Sequence, residues 1–213
     1  MRIHIHDRSF TDKESLEKYG RGIISAEMAR YGPGDYTLDD IYDALITGHT
    51  ISCSQHTGEG MRREHIVSTS LLLLDFDNDT KLNSEKTTGL VSRIITPNEV
   101  LNKLTTVGLA PLCLYHSYSS TFKKPKFHLL FVVDFPRHDI AKVFEMLKEA
   151  FSKLFPDESP DNTNSSTFID RMSVRPEVII FPTYGEEKMK LWEPSFYIPI
   201  NEAVLLELCS YLN

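Results

Sequence analysis

The sequence predicts a domain of the α+β class, and three patterns lead to that prediction. The chain opens with a strand pattern that is followed by helix signals. Two apolar segments, 111–116 and 126–134, are separated by a short polar loop, which is typical of a hairpin. Amphipathic helices with clear end signals flank that pair. Helices and paired strands are therefore expected to share one core.

An N-terminal αβ part is predicted for residues 1–65. Residues 2–6 alternate apolar and polar side chains, as a half-exposed strand does. Thr11 and Glu14 form a capping-box pattern that opens a helix, and the Gly-Pro-Gly segment at 32–34 breaks it.

A second helix is predicted to begin after the cap residue Thr37 and to run through Ile46. Gly48 ends it, and a short strand follows at 50–54. The polar, partly basic segment 55–64 is expected to be a loop.

The apolar run at 70–76 ends in acidic residues, the pattern of a buried central strand that delivers polar side chains at its C-terminal end. Similar runs predict strands at 111–116, 126–134, 178–181 and 196–200. Helices are predicted from Thr96 to about Gly108, at 139–154 and at 202–212, and a loop at 156–167. We therefore predict one domain, 1–213, with its main sheet at 66–200 and a closing helix at 201–213.

Composition limits the class of protein. The chain has 213 residues and 41% hydrophobic content, enough for one sizeable core. Its longest purely apolar run, 71–74, is far short of the roughly 20 residues that span a bilayer, and the N-terminus lacks a signal-peptide pattern. We expect a soluble, cytoplasmic protein with no membrane partner. The three cysteines, Cys53, Cys113 and Cys209, suggest neither a disulfide framework nor a zinc site.

The net charge of −7 argues against a protein that coats nucleic acid with an all-round basic surface. A local basic groove is compatible with it. Positive charge gathers at Arg62 and Arg63, and again at Lys123, Lys124 and Lys126.

Asp75 and Asp77 are the first candidate site residues. They are one residue apart at the end of a predicted strand, so both side chains point to the same face. Two adjacent carboxylates suit a hard divalent cation such as Mg²⁺. An acid pair that simply begins a solvated loop is about equally consistent with so short a motif.

Two other acid-rich motifs are weighed against the same residues. A calcium-binding EF-hand loop counted from Asp75 needs Gly and Glu where the chain has Thr80 and Lys86, so it is rejected. A haloacid-dehalogenase-like phosphatase resembles the strand and its Asp-x-Asp pair, but that family usually has Thr or Val in place of Asp79, with its motif nearer the N-terminus.

Lys126 and His128 form a second constellation, which follows a loop rich in serine and lysine. Both belong to one predicted strand and share a face, where they could hold phosphate groups by charge-assisted hydrogen bonds. The plainer interpretation is a polar sheet face beside a solvated basic loop.

Asp170 follows two apolar residues and precedes a basic stretch and another apolar strand. With Asp75, Asp77 and His128, it forms a set that resembles the three signature motifs of the archaeo-eukaryotic primase superfamily. The resemblance covers about residues 62–184, and it is greatest to the primase-polymerase domains of phages, plasmids and other mobile elements.

The resemblance implies a template-dependent nucleotidyltransferase, a DNA primase or DNA polymerase. By it, Asp75, Asp77 and Asp170 would bind catalytic Mg²⁺ or Mn²⁺, with Asp161 as the alternative third acid. His128 would bind the phosphates of the incoming nucleotide. Further phosphate or template contacts are implied for Lys126, Arg62 and Arg63, and template contacts for Lys123 and Lys124.

The implied fold is an antiparallel sheet like that of an RNA-recognition motif, beside an N-terminal αβ unit. The implied partners are a single-stranded DNA template with its primer, nucleoside triphosphates, and a helicase in cis or in trans. Two positions depart from the family: Lys126 stands where a small residue is usual, and Val178 where Arg is usual, with Arg175 as its alternative.

Three other functions are kept in view. One is a replication domain that binds single-stranded nucleic acid without catalysis, and one is the phosphatase. A rolling-circle nickase is suggested by His4 and His6, but the pair lies too close to the start of the chain, so we interpret it as part of an ordinary strand.

Overall fold

Helices and small antiparallel sheets build the protein, which confirms the α+β prediction. The computed structural model describes residues 1–58, 60–78, 94–123, 125–135, 139–156, 169, 174–185, 188–191 and 197–211. The α-helices are α1 (Lys13–Tyr19), α2 (Arg21–Tyr31), α3 (Leu38–Ile46), α4 (Pro97–Thr106), α5 (Ile140–Leu154) and α6 (Glu202–Tyr211).

The strands fall into two groups along the chain. Those of the first 69 residues are β1 (Arg2–Ile3), β2 (Ile5–Ser9), β3 (Gly34–Asp35), β4 (His49–Ser52), β5 (Ser54–His56) and β6 (Ile66–Thr69). The later strands are β7 (Leu71–Asp77), β8 (Cys113–His116), β9 (Lys126–Val132), β10 (Ile179–Ile180) and β11 (Met189–Leu191).

The largest sheet has the order β11-β8-β9-β7, and every neighbouring pair in it is antiparallel. The predicted hairpin of β8 and β9 is confirmed. The apolar run that was expected to be a central strand forms β7, which is at the edge of this sheet among the described strands. Phe76 also forms an isolated antiparallel bridge with Ile169 on its other side, so β7 is not a free edge and its central position stays a prediction.

The two faces of this sheet pack against different layers. Leu72, Leu74 and Phe76 of β7 belong to a core that includes buried residues of α4, α5 and α6. Leu71 and Leu73 belong to a second core, with buried residues of α3 and β4. Since successive side chains of a strand alternate, one strand supplies both cores.

The N-terminal part of the chain forms three small sheets. Strand β4 pairs with β2 on one side and with β10 on the other, so residues 179–180 complete a sheet that begins at the N-terminus. The other two sheets are the pairs β1 with β3 and β5 with β6.

Two helix starts agree with the sequence and one does not. Thr37 and Thr96 cap α3 and α4, and both capping boxes are closed. The cap of α1 is Asp12, not Thr11, because the Asp12 carboxylate accepts a hydrogen bond from the Ser15 backbone N–H. Gly20, with φ of 98°, then separates α1 from α2, where the sequence suggested no break before 32.

His4 and His6 are buried, each about 1% exposed, although the sequence indicated a half-exposed strand. Helix α2 covers them: His4 Nδ1 donates to the Met28 carbonyl at 2.9 Å, and His6 Nε2 lies 2.9 Å from Glu27 Oε2. An alternating strand can thus be buried on its polar side when that side finds hydrogen-bond partners.

Several short elements differ from the prediction. The expected loop at 55–64 contains part of β5 and the start of a 3₁₀ turn. The strand predicted at 178–181 is reduced to β10, and within 196–200 Ile200 forms an isolated bridge with Val133. The predicted loop at 156–167 lies almost wholly outside the described residues. No helix in the described part of the chain is long and apolar enough to cross a bilayer.

Candidate functional site

The candidate site lies where one face of the large sheet changes from apolar to polar. Asp75 on β7 and His128 on β9 are direct cross-strand partners. The His128 Nε2 and Asp75 Oδ1 atoms are 3.2 Å apart. Because side chains alternate along a strand, both point to the face that carries Leu73 and Leu130 further along. The sheet therefore brings together two residues that are 53 positions apart in the sequence.

The Asp75 carboxylate is held in its ionised form. Burial acts to raise its pKa, but the charge and hydrogen bond of His128, together with the charges of Lys126 and Arg21, lower the pKa below its ordinary value. The side chain is 31% exposed, so it remains accessible to a ligand from solvent. An ionised, accessible carboxylate is a suitable ligand for a hard cation.

Tyr115 fixes the other side of His128. It is the cross-strand partner of His128 on β8, and the two rings meet edge to face with centroids 4.8 Å apart. The Tyr115 hydroxyl donates to the Phe181 carbonyl at 3.2 Å. Burial raises the pKa of this fully buried tyrosine well above its ordinary value, so the phenol stays protonated. The imidazole is thus held between a carboxylate and an aromatic edge.

His128 is 9% exposed, and its Nδ1 atom is buried without a hydrogen-bond partner among the described residues. An unsatisfied buried nitrogen costs free energy.

Lys126 and Asp77 are cross-strand partners two positions further towards the end of the sheet. Lys126 is half-buried and shares the face of His128, as the sequence predicted. Asp77 is placed by its backbone at the last position of β7, and its side chain lies outside the described set.

The candidates for a third acid, Asp161 and Asp170, lie outside the described residues. Ile169, which directly precedes Asp170 in the sequence, forms an antiparallel bridge with Phe76. Phe76 stands between Asp75 and Asp77 on β7. The chain therefore returns to the acid-bearing end of the sheet one residue before Asp170.

The remaining predicted contacts lie in two loops. Arg62 and Arg63 are exposed between β5 and β6, and the Arg62 guanidinium lies 3.9 Å from Glu64 Oε1. Lys123 is exposed in the loop between β8 and β9, and Lys124 lies outside the described residues. That loop joins the sheet directly beside Lys126, so Lys123 belongs to the same end of the sheet as the acids.

Asn78 is a site-supporting residue that the sequence reasoning missed. Its side-chain amide donates to the carbonyls of Ile95 and Pro125, and its Oδ1 accepts from the Ile95 N–H. It therefore joins the end of β7 to the start of α4 and to the last residue of the β8–β9 loop. A buried asparagine can hydrogen-bond several backbone groups at once. Its position directly after the acid pair was the sequence feature that could have indicated a supporting role.

Arg21 was also missed. It is the first residue of α2, and its guanidinium stacks 4.5 Å above the centre of the Phe181 ring. Its positive charge acts on Asp75. No sequence signal marked it, because only the packing of the N-terminal part against the sheet brings α2 to this end.

Among the described residues, no cluster of three or more His, Cys, Asp and Glu side chains is placed to hold a metal ion. The Asp75 carboxylate nevertheless suits one, because it is ionised and accessible from solvent, and the Asp77 backbone follows it two positions later on β7. Oxygen donors of this kind are those that Mg²⁺ and Mn²⁺ prefer.

Comparison with protein-family models, with curated proteins and with solved structures finds no match for this chain.

Proposed function

We propose that this protein is a primase-polymerase, a template-dependent nucleotidyltransferase with the archaeo-eukaryotic primase fold. The observation that carries the proposal is the Asp75–His128 pair, hydrogen-bonded across β7 and β9 at the polar end of an antiparallel sheet. Acids on one strand and a histidine on its neighbour are the first two motifs of that superfamily. The antiparallel order of β8, β9 and β7 and the N-terminal αβ part are compatible with its fold.

Asp75 and Asp77 would hold Mg²⁺ or Mn²⁺, and Asp170 would complete the set. When bound, the cations lower the pKa of the attacking hydroxyl and neutralise charge on the triphosphate. The role of Asp75 depends on its ionised state, which His128, Lys126 and Arg21 maintain against burial.

His128 and Lys126 would bind the triphosphate. In the structure His128 Nε2 faces Asp75, so an incoming phosphate would take over this hydrogen bond. Lys126, two residues earlier on the same face, adds a positive charge for the same phosphates. Tyr115 keeps the imidazole ring in place during this exchange of partners.

Primer extension on a single-stranded DNA template, with Mg²⁺ or Mn²⁺, tests the proposal. We expect extension by the wild type and its loss, by a factor of at least about 1,000, in Asp75→Asn/Asp77→Asn. Asp39→Asn/Asp43→Asn, which removes two exposed carboxylates from α3, is the matched control and should extend normally.

Absence of extension by folded wild type with either metal, and with both deoxy- and ribonucleotides, would contradict the proposal. Hydrolysis of a generic phosphoester without any template would then favour the phosphatase. Strand binding without either activity would favour a non-catalytic replication domain.

A further inference from the structure

A groove on the opposite face of the sheet from His128 is the feature of interest. It lies between the N-terminal end of α4 and the β8–β9 loop, residues 117–125, and encloses about 660 Å³. That volume is within the range of small-ligand sites, roughly 300–1,000 Å³. Leu114 of β8 and Leu101 of α4 contribute to its apolar lining, and Tyr118 and Phe122 of the loop contribute two aromatic rings.

Phe122 is the most unusual of these residues. Its side chain is fully exposed, while all the other described phenylalanines except Phe181 are buried. A phenylalanine ring left in water forgoes the stabilisation that burial would bring. A ring held out in this way beside a groove can accept a flat partner by stacking.

The charges around the groove favour an anionic partner. Among the described residues that line it, none is acidic, although the protein carries a net charge of −7. Lys188 lines it, with Nζ 5.8 Å from the centre of the Tyr118 ring, and Lys123 is exposed next to Phe122. Glu99, the acid in the first turn of α4, is used by the helix cap, where it accepts from the Thr96 N–H and hydroxyl.

The groove is connected to the candidate site through one end of the sheet. Leu114 and His116 line it, while Tyr115, which alternates with them on β8, contacts His128 on the other face. The β8–β9 loop spans this end, and Asn78 ties its last residue, Pro125, to β7. A chain-like ligand that crosses the loop would pass from one face to the other.

We propose that this groove binds an unpaired base of a single-stranded nucleic acid, stacked on Phe122, with the adjacent backbone phosphates near Lys123 and Lys188. Aromatic rings interleaved with lysines are the means by which proteins hold single strands without reading sequence. The inference deepens the proposed function, because it assigns the path of the template strand, but strand binding requires no catalysis.

The test is fluorescence anisotropy with a labelled oligodeoxythymidylate of about 12 nucleotides, in EDTA so that no reaction occurs. Phe122→Ala should bind about 5- to 100-fold more weakly than the wild type, because one stacked base is lost. Phe122→Trp should retain binding, because indole also stacks. Since Phe122 is fully exposed, neither variant should change stability.

Two controls locate the effect. Tyr211→Ala removes another exposed aromatic ring, at the end of α6, and should bind normally. An abasic strand of the same length should bind the wild type as weakly as oligodeoxythymidylate binds Phe122→Ala.

The proposal is overturned if Phe122→Ala binds within twofold of the wild type, or if the abasic strand binds as well as the intact one. It is also overturned if free thymidine monophosphate competes as well as the strand. Strand binding through Phe122 in a protein that never extends a primer would support this inference and contradict the proposed function. Extension with unchanged binding by Phe122→Ala would do the reverse.

Discussion

The two faces of the four-stranded sheet differ in the side chains that β7 contributes to them. One face packs against α4, α5 and α6. On this face the side chains of β7 are all apolar, and they are Leu72, Leu74 and Phe76. On the other face, Leu71 and Leu73 give way to Asp75. The apolar face provides a continuous core beneath the site, and so the opposite face can hold ionised groups with less loss of stability. Because side chains alternate along β7, the same strand supplies core residues to one face and Asp75 to the other.

The largest expected effect comes from breaking the apolar face. Phe127 is fully buried, stacks on Phe76 with ring centroids 4.9 Å apart, and belongs to the helix-side core. Phe127→Ala should lower the free energy of unfolding by about 3–5 kcal/mol, because it leaves a cavity. Urea unfolding measures this. Phe122→Ala makes the same chemical change at a fully exposed position and should stay within about 0.5 kcal/mol of the wild type.

The N-terminal part of the chain should be sensitive to acid through His56. His56 is 3% exposed, and burial lowers its pKa from 6.5 to about 4, with the nearby His4 and His65 acting in the same direction. Its neutral form is therefore favoured by folding. The associated stability is complete above pH 6.5 and is lost as the pH falls towards 4, a loss of about 3 kcal/mol.

Unfolding free energies measured between pH 7 and pH 4 test this. His56→Leu should flatten the dependence on pH by about that amount, although it also removes the hydrogen bond from His56 Nδ1 to the Arg62 carbonyl. His65→Gln leaves His56 and its burial in place and removes only a minor cause of the lowered pKa, so most of the steep dependence should remain. Equal slopes for wild type and His56→Leu would contradict the assignment.

The hydrogen bonds of Asn78, which join β7 to the start of α4 and to the β8–β9 loop, should contribute less to the free energy of unfolding. Asn78→Ala leaves the Ile95 N–H and two carbonyls without their partner, so we expect a loss of about 1–3 kcal/mol. Urea unfolding again provides the measurement. Asn102→Ala, at an exposed position of α4, is the control and should change stability by less than about 0.5 kcal/mol. A similar loss in both variants would show that Asn78 does not join the elements.

The smallest effect concerns ionisation at the polar face itself. His128→Gln removes the charge and changes the hydrogen bond that oppose burial at Asp75, so the pKa of Asp75 should rise. Carboxyl carbon NMR titration reads this directly. Lys123→Gln, in the exposed loop, should leave the titration unchanged. In the wild type, the stability linked to Asp75 is present above pH 3.8 and is lost as the pH falls through the lowered folded pKa.

Much of the fold could be predicted where local signals agree with tertiary packing. The caps at Thr37 and Thr96 satisfy backbone groups within four residues, so the local sequence determines them. The β8–β9 hairpin has strong apolar runs on both sides of a polar loop. By contrast, β5 and β10 are two or three residues long and exist only because distant partners supply their hydrogen bonds.

The candidate site was predictable in its residue types but not in its contacts. Side-chain alternation put Asp75 with Asp77, and Lys126 with His128, each pair on one face. That Asp75 would lie opposite His128 depends on the register between β7 and β9, which are separated by 48 intervening residues. Asn78 and Arg21 act through folded geometry, which local patterns do not encode.

Folding of the N-terminal sheet cannot be completed before β10 pairs with β4. Ile51 pairs with Ile180, and the Ser54 hydroxyl donates to the Pro176 carbonyl across 122 positions of the chain. Contacts of such long sequence separation form slowly, because closing the loop between them costs entropy before any contact repays it. During synthesis, the edge of β4 that pairs with β10 stays without its partner until residue 180 has left the ribosome. The nascent chain is therefore most exposed to aggregation in that interval, when its first strands have formed and their last partner has not.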